Sequence, residues 1–178
     1  PRGDEFTTWD LPRLYREIDL HFTNALADGR LKTIPTTDFA DLLTKPTLPE
    51  NYRPTLYDFI AHEALGFYTS GEFAAAKPED AFEVRASDPL LDPLDKFLAW
   101  QPQSTDTESP QFKAVRLYQE VLRFHQNDAD SSALNDTDIL RLLHGKNNAT
   151  GEGANDRFVE AMQAIVEREP GPLPACAR

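Results

Sequence analysis

Apolar side chains recur at steps of three and four residues in separate stretches of this chain, which is the spacing of one face of an α-helix. Capping residues and first-turn prolines, such as Asp10 with Pro12 and Ser109 with Pro110, mark where the stretches begin. Glycines and further prolines mark where they end. The pattern predicts helices over about residues 10–28, 36–44, 55–69, 110–126, 136–144 and 155–169. We therefore expect an all-α fold, a multi-helix array of tetratricopeptide-like or irregular-bundle type, in which residues 1–178 are a single helical domain or a fragment of a larger chain.

The third predicted helix carries the clearest signals. Thr55 and Asp58 have the spacing of a capping box, in which two side chains satisfy free backbone N–H groups at the helix start. Apolar and aromatic residues then cover a wide part of the helix surface as far as Tyr68. Because this coverage exceeds a single stripe, we expect the helix to pack against neighbours on more than one side.

The fifth predicted helix is short. Asn135 or Asp136 is placed to cap it, because such side chains accept hydrogen bonds from the free N–H groups of a first turn. Residues 145–153 contain three glycines, which is typical of a mobile loop. The helix is therefore expected to end near His144.

Residues 70–109 form a long connector, in which frequent prolines forbid an extended uninterrupted helix. Its apolar residues are too numerous for a free linker. They are Phe82, Leu90, Leu91, Phe97, Leu98 and Trp100. We expect these residues to anchor the connector across the helices.

Acidic side chains outnumber basic ones, with 30 Asp and Glu against 18 Lys and Arg and a formal net charge of −12. Phosphate backbones and anionic lipid should repel such a chain on average, so no nucleic-acid partner is expected. No apolar run reaches the roughly eighteen residues that a membrane span requires, so no direct membrane insertion by this segment is expected. The one cysteine, Cys176, can form neither an internal disulfide nor a zinc cage.

Candidate catalytic chemistry is sparse. Asp58 and His62 lie one turn apart, so the carboxylate could orient the imidazole as in acid–base pairs. The pair lacks an assignable nucleophile, and we expect His62 to bond a neighbouring backbone group instead. His62 and Glu63 begin the helix motif of zinc proteases, but Gly66 stands where its second histidine belongs.

Four acidic residues near the fifth helix resemble calcium ligands in composition. They are Asp128, Asp130, Asp136 and Asp138. The order of acids, central glycine and closing glutamate that a calcium loop needs is missing, so solvated helix caps are expected. The sequence therefore predicts no catalytic residue, no cofactor and no metal ligand.

Several strings in the chain are together similar to one family. They are Trp9-Asp10-Leu11, the apolar stripe from Tyr15 to Leu26, Ile34-Pro35, the block from Pro54 to Leu65, and Asp106-Thr107-Glu108-Ser109. From about Trp9 to Glu169 the chain resembles the helical region ahead of the macroglobulin β-domains in large bacterial alpha-2-macroglobulin-like proteins of Bacteroidetes type. The block from Pro54 to Leu65 is the most specific of these strings.

The resemblance implies an extracytoplasmic protein, periplasmic or surface-tethered, whose full-length relatives trap proteases or serve in envelope defence. The thioester of the family, a Cys-Gly-Glu-Gln sequence, is missing here, since Ala177 follows Cys176. Covalent trapping therefore cannot be assigned to this chain. Residues 170–178 are expected to form the turn into a further helix, which would cover an otherwise open face.

The leading hypothesis is a non-enzymatic helical region that contacts the macroglobulin β-domains of the parent chain or another protein through an apolar and aromatic groove. The candidate contact residues are Tyr57, Asp58, His62, Tyr68 and Trp100. One alternative is a free-standing helical-repeat adaptor that binds peptides. A third hypothesis, of a different class, is a small hydrolase that uses Asp58 and His62.

Overall fold

The computed structural model describes residues 8–42, 50–70 and 81–168, and these residues form an all-helical structure. The α-helices are α1 (Leu11–Leu26), α2 (Leu56–Thr69), α3 (Leu94–Ala99), α4 (Pro110–His125), α5 (Ser132–Asn148) and α6 (Ala154–Arg168). Short 3₁₀ helices cover Gly29–Thr33, Thr36–Phe39, Glu50–Tyr52 and Pro89–Leu91. Extended pairing within the described ranges is limited to two isolated bridges, so the predicted all-α multi-helix fold is confirmed.

Helix starts follow the predicted capping residues. The Asp10 side chain accepts a hydrogen bond in the first turn of α1, and Ser109 does the same for α4 with Pro110 as the first helical residue. At α2 the Thr55 hydroxyl accepts from the Asp58 N–H while the Asp58 carboxylate accepts from the Thr55 N–H. Because each cap satisfies donors that the helix itself leaves free, these boundaries are set locally and were predictable.

The predicted helix over residues 36–44 is wrong in type. The structure has a 3₁₀ helix at Thr36–Phe39 followed by a turn, and residues 43 and 44 lie outside the described ranges. Thr36 donates its backbone N–H to the Pro54 carbonyl at 3.1 Å and its hydroxyl to the Arg53 carbonyl at 2.6 Å. These bonds to the segment before α2 compete with an α-helical first turn.

Helix α5 is longer than predicted. It begins at Ser132, where the Asp130 carboxylate accepts from the Ser132 N–H at 2.8 Å, and it continues to Asn148. The prediction that Asn135 or Asp136 caps this helix is wrong, since both lie inside α5 and are buried. Its glycine, Gly145, is also helical and does not open the predicted loop.

The predicted anchoring of the connector is confirmed for residues 81–109, while residues 71–80 fall outside the described ranges. Leu90, Leu91 and Phe97 have no exposed surface. Phe82 meets the Phe112 ring edge-on at 5.3 Å between centroids. The connector is therefore part of the core and includes its own short helix, α3.

Neighbouring helices in sequence are also neighbours in space. Apart from α3, each helix packs on the next, in the order α1, α2, α4, α5 and α6. The larger apolar cluster lies between α2 and α4, and a second one joins α5 and α6 through Leu91, Leu142 and Ile165. As predicted, α2 packs on more than one side, since it contacts both α1 and α4.

The outer helices are only partly covered. Helix α1 has no buried residue, and α6 buries only Ala161 and Ile165. By contrast, α5 is buried along most of its length. Burial is therefore greatest along α5, while the two outer helices carry the surfaces that remain open.

Two helical glycines should respond to substitution with opposite signs. A Cβ on Gly145 would lie 2.8 Å from Leu91 Cδ2, inside the core, while a Cβ on Gly66 meets nothing within 4 Å. We predict that Gly66→Ala raises the free energy of unfolding by about 0.5–1 kcal/mol through helix propensity. Gly145→Ala should lower it by about 1–3 kcal/mol through overpacking.

Denaturant unfolding of both variants measures this difference, and each serves as the control of the other. Equal stabilisation by the two alanines would show that α5 is not packed against the connector as described.

Candidate functional site

Helix α5 buries six polar side chains, more than any other described helix. They are Asn135, Asp136, Thr137, Asp138, Arg141 and His144. Burial of a polar group is costly unless it is hydrogen-bonded, so each of these side chains needs a partner. For all of them except His144, whose contacts with Asn148 stay within α5, at least one partner comes from another element or from the Asp138–Arg141 pair. These bonds form the polar network described below.

The largest fully buried side chain of the network is that of Arg141, which has no exposed surface. Its Nε and Nη2 atoms donate to Asp138 Oδ1 at 2.9 and 2.5 Å. Its Nη1 atom donates to the carbonyls of Leu90 and Asp92 at 2.6 and 2.8 Å. The guanidinium also lies 4.5 Å from the centroid of the Phe97 ring. Arg141 thus ties the connector to α5 with a fixed geometry.

A second part of the network surrounds His125 at the end of α4. Its Nε2 atom lies 2.7 Å from Asp58 Oδ1 on α2, and its Nδ1 atom lies 2.7 Å from Asp128 Oδ2. The other oxygen of Asp58 accepts from the N–H and the hydroxyl of Thr55, at 2.9 and 2.8 Å. Two nitrogens that both face carboxylates are satisfied when the imidazole is protonated.

The electrostatics support this charged state. Burial opposes the protonation of His125, but the hydrogen bonds to Asp58 and Asp128 outweigh it and raise the pKa of the imidazole. Burial also disfavours the Asp58 carboxylate, but the hydrogen bonds from His125 and Thr55 outweigh that effect and lower the pKa of Asp58. The pair is therefore a buried ion pair that holds α2 against α4.

His62 does not pair with the Asp58 carboxylate. Its Nδ1 atom lies 2.8 Å from the Asp58 carbonyl, which confirms the predicted backbone bond, and its Nε2 atom lies 3.2 Å from Thr137 Oγ1. A carbonyl only accepts, so Nδ1 carries the proton and Nε2 accepts from the threonine hydroxyl. Burial, followed by the nearby Arg53, lowers the pKa of His62 to about 3. The imidazole is thus neutral and structural.

The carboxylate–imidazole pair on which the hydrolase hypothesis depends is therefore not formed between Asp58 and His62. The hydroxyl that faces His62 belongs to Thr137, which has no exposed surface. A substrate cannot reach this hydroxyl in the described conformation. Sequence spacing alone missed the arrangement because His125, the actual partner of Asp58, lies far along the chain.

The five predicted contact residues do not form one exposed surface. Tyr57 is 1% exposed, Asp58 is fully buried and Tyr68 is also buried, while His62 and Trp100 are partly buried. Tyr57 packs edge-on against the Phe124 ring, and the Tyr68 hydroxyl donates to Asp19 on α1 at 2.7 Å. Tyr57 therefore contacts α4 and Tyr68 contacts α1, in line with the predicted packing of α2 on more than one side.

The expectation of solvated caps holds only for Asp130. Asp128 binds His125, Asp136 pairs with Arg53 at 2.8 Å, and Asp138 pairs with Arg141. The four residues point to different partners. Among the described residues, no group of three or more His, Cys, Asp or Glu side chains could hold a metal ion. Cys176 and the predicted turn over residues 170–178 lie outside the described ranges.

An open groove of about 270 Å³ lies between α4 and the segment that follows α3. Trp100 and Pro102 line one side, and Arg116 and Arg123 line the other. The wall is held by the buried Gln119, whose Nε2 atom donates to the carbonyls of Phe97 and Trp100, each at 2.8 Å. The sequence analysis did not predict this groove, although Arg116 and Arg123, seven residues apart on α4, lie on one side of that helix and are its sequence signal.

Comparisons with models of known protein families, with characterised proteins and with solved structures found no match. Across the described ranges, the structure has no helix with the length and apolar character of a membrane span.

His62 and His125, two of the interior histidines, should affect acid and alkaline stability in opposite ways. Between pH 6.5 and about 3 the unfolded chain protonates His62 while the folded protein does not, so stability falls as pH falls. The stabilising contribution of His125 is full below its unfolded pKa of 6.5 and is lost as pH rises through its raised folded pKa.

We therefore predict that His62→Gln reduces the slope of the free energy of unfolding against pH on the acid side. The reduction is up to about 1.4 kcal/mol per pH unit, which corresponds to one proton. His125→Gln should instead flatten the decline above pH 6.5. Denaturant unfolding from pH 4 to 9 measures both slopes, with the exposed His21→Gln as the control. Changes on the same limb in both variants would contradict the assignment.

Proposed function

We propose that this chain is a non-catalytic helical region whose role is to contact other protein surfaces. The observation that carries the proposal is the pair Val159 and Val166 on α6, which are 52% and 46% exposed. They lie two turns apart on one side of the helix, so they form a line and not two scattered residues. Single exposed apolar residues need no explanation, but an apolar line on an outer helix favours a contact surface.

The interior supports the same conclusion. His62, His125 and Arg141, which have side chains suited to catalysis, are engaged in internal bonds that position helices. If any of these side chains gave up its internal bonds, a buried polar partner would be left without a hydrogen bond. The interior therefore serves to hold a rigid scaffold, and activity is assigned to its outer surfaces.

We further propose that the parent protein is a macroglobulin-like protein of the bacterial envelope, in the periplasm or on the cell surface. The support is the resemblance carried by the block from Pro54 to Leu65. The partners would be the β-domains of the parent chain or another protein, and protease trapping or envelope defence would belong to the full-length protein. This chain would contribute the brace or docking surface.

A second candidate function is that of a free-standing adaptor that binds peptides, and it is favoured by the groove between α4 and the segment that follows α3. The two arginines of that groove, Arg116 and Arg123, provide donors on either side of Glu120. Such a groove suits an extended polar peptide better than a helix with an apolar face.

A capture experiment from a bacterial envelope extract separates the two candidates. The protein, a variant with Val159→Glu and Val166→Glu, and a variant with Arg116→Glu and Arg123→Glu are immobilised and compared. We predict that the valine variant captures at least tenfold less of the partner than the unchanged protein, because two carboxylates would be buried at the contact. The arginine variant should retain it.

Loss of capture with the arginine variant alone would favour the peptide adaptor. Unchanged capture with both variants would contradict the proposal, as would saturable thermal stabilisation of the protein by a metal ion or a nucleotide.

A further inference from the structure

The two flanks of α6 differ in how they are bound. On one flank Arg157 Nη2 lies 2.7 Å from Asp92 Oδ1, and Arg168 Nη2 lies 2.6 Å from Asn135 Oδ1. Arg157 also donates to the Ala86 carbonyl. These bonds attach α6 to the connector and to α5, so the helix cannot rotate to bury its other flank.

The other flank carries an apolar line. Met162 packs partly against the second apolar cluster, and Val159 and Val166 follow beside it with about half of their surfaces exposed. The valines are separated by about 10 Å along the helix axis, since seven residues rise by two turns. The apolar line therefore extends from the edge of the second apolar cluster onto the surface of α6. Its side chains are spaced so that another helix could pack along them.

An acidic row borders this line. Asp156, Glu160 and Glu167 are exposed, and their steps of four and seven residues place them on one side of the helix. No ion pair joins them to another residue of the described ranges. The row is thus an exposed negative border on the apolar line.

We infer that this flank of α6 docks an amphipathic helix of a partner protein, one with an apolar stripe bordered by lysine or arginine. The inference rests on the proposed function and specifies the partner surface. Helices that pack side by side bury apolar ridges and place charged side chains at the edges of the contact. A basic border on the partner would face the acidic row, and the net charge of −12 would speed the encounter.

Other occupants fit the charges less well. A second copy of this chain would bring another acidic border to the contact, and like charges at an interface are destabilising. An anionic membrane surface would repel the row formed by Asp156, Glu160 and Glu167. A basic helix is the occupant that satisfies both the apolar line and its border.

The test uses two synthetic helical peptides with the same apolar stripe, one bordered by lysine and the other by glutamate. Their binding to the full chain is measured by fluorescence anisotropy at low and high salt. We expect the lysine peptide to bind at least tenfold more tightly than the glutamate peptide, and high salt to weaken that preference.

Three variants locate the binding. The variant with Glu160→Lys and Glu167→Lys should bind the glutamate peptide more tightly than the lysine peptide. The variant with Val159→Asp and Val166→Asp should bind the lysine peptide at least tenfold more weakly than the unchanged protein. Glu63→Lys, at an exposed position on α2, is the matched charge control and should change neither affinity by more than a small factor. Circular dichroism confirms that each variant is folded.

Equal binding of both peptides, or a preference that Glu160→Lys with Glu167→Lys leaves unchanged, would overturn the inference. So would self-association of the chain that the valine substitutions abolish, or binding to anionic vesicles in place of the peptides. If envelope capture depends on Val159 and Val166 but the chain binds the lysine and glutamate peptides equally, the proposed function stands and the inferred basic partner is wrong. If capture is also independent of the valines, both fail.

Discussion

The described structure depends most on the buried charge of Arg141. An arginine without exposed surface must have all its charge balanced inside the protein, and here Asp138 and the carbonyls of Leu90 and Asp92 do so. Removing one partner of such a pair costs about 3–5 kcal/mol, a large fraction of the stability of a domain. The connector can therefore adopt only the path that brings those two carbonyls to α5.

The same requirement extends along the helix. Asp136 needs Arg53, Thr137 is bonded to His62, and Asn135 and Asp138 receive Arg168 from α6. Apolar packing alone tolerates many arrangements, whereas a buried hydrogen bond is satisfied in few, so this network favours one arrangement of α2, α4, α5 and α6. In this network, histidine, aspartate and arginine side chains are bonded to one another and to backbone carbonyls in the interior. Under the proposed function, contacts with other proteins are made by the open surfaces of α6 or of the groove beside Trp100.

How much the sequence could predict follows from how local each feature is. The start of α2 was predictable because Thr55 and Asp58 complete their bonds within four residues, and α4 was predictable from Ser109 and its stripe. The start of α5 was not, because buried Asn135 and Asp136 have the same appearance in a sequence as solvated caps. Whether a polar residue is buried depends on its distant partner. Asp58 illustrates this, since its neighbour His62 was proposed and the remote His125 is its partner.

The central claim is that α5, although polar, is the most tightly held element of the array. Native-state hydrogen exchange of backbone amides tests it directly, because it measures the free energy of opening for each helix. We predict that amides in the middle of α5, such as that of Leu142, exchange only through global unfolding, while those of α1 exchange through smaller openings. Exchange of α5 well below the global free energy, with α1 or α6 more protected, would contradict the account.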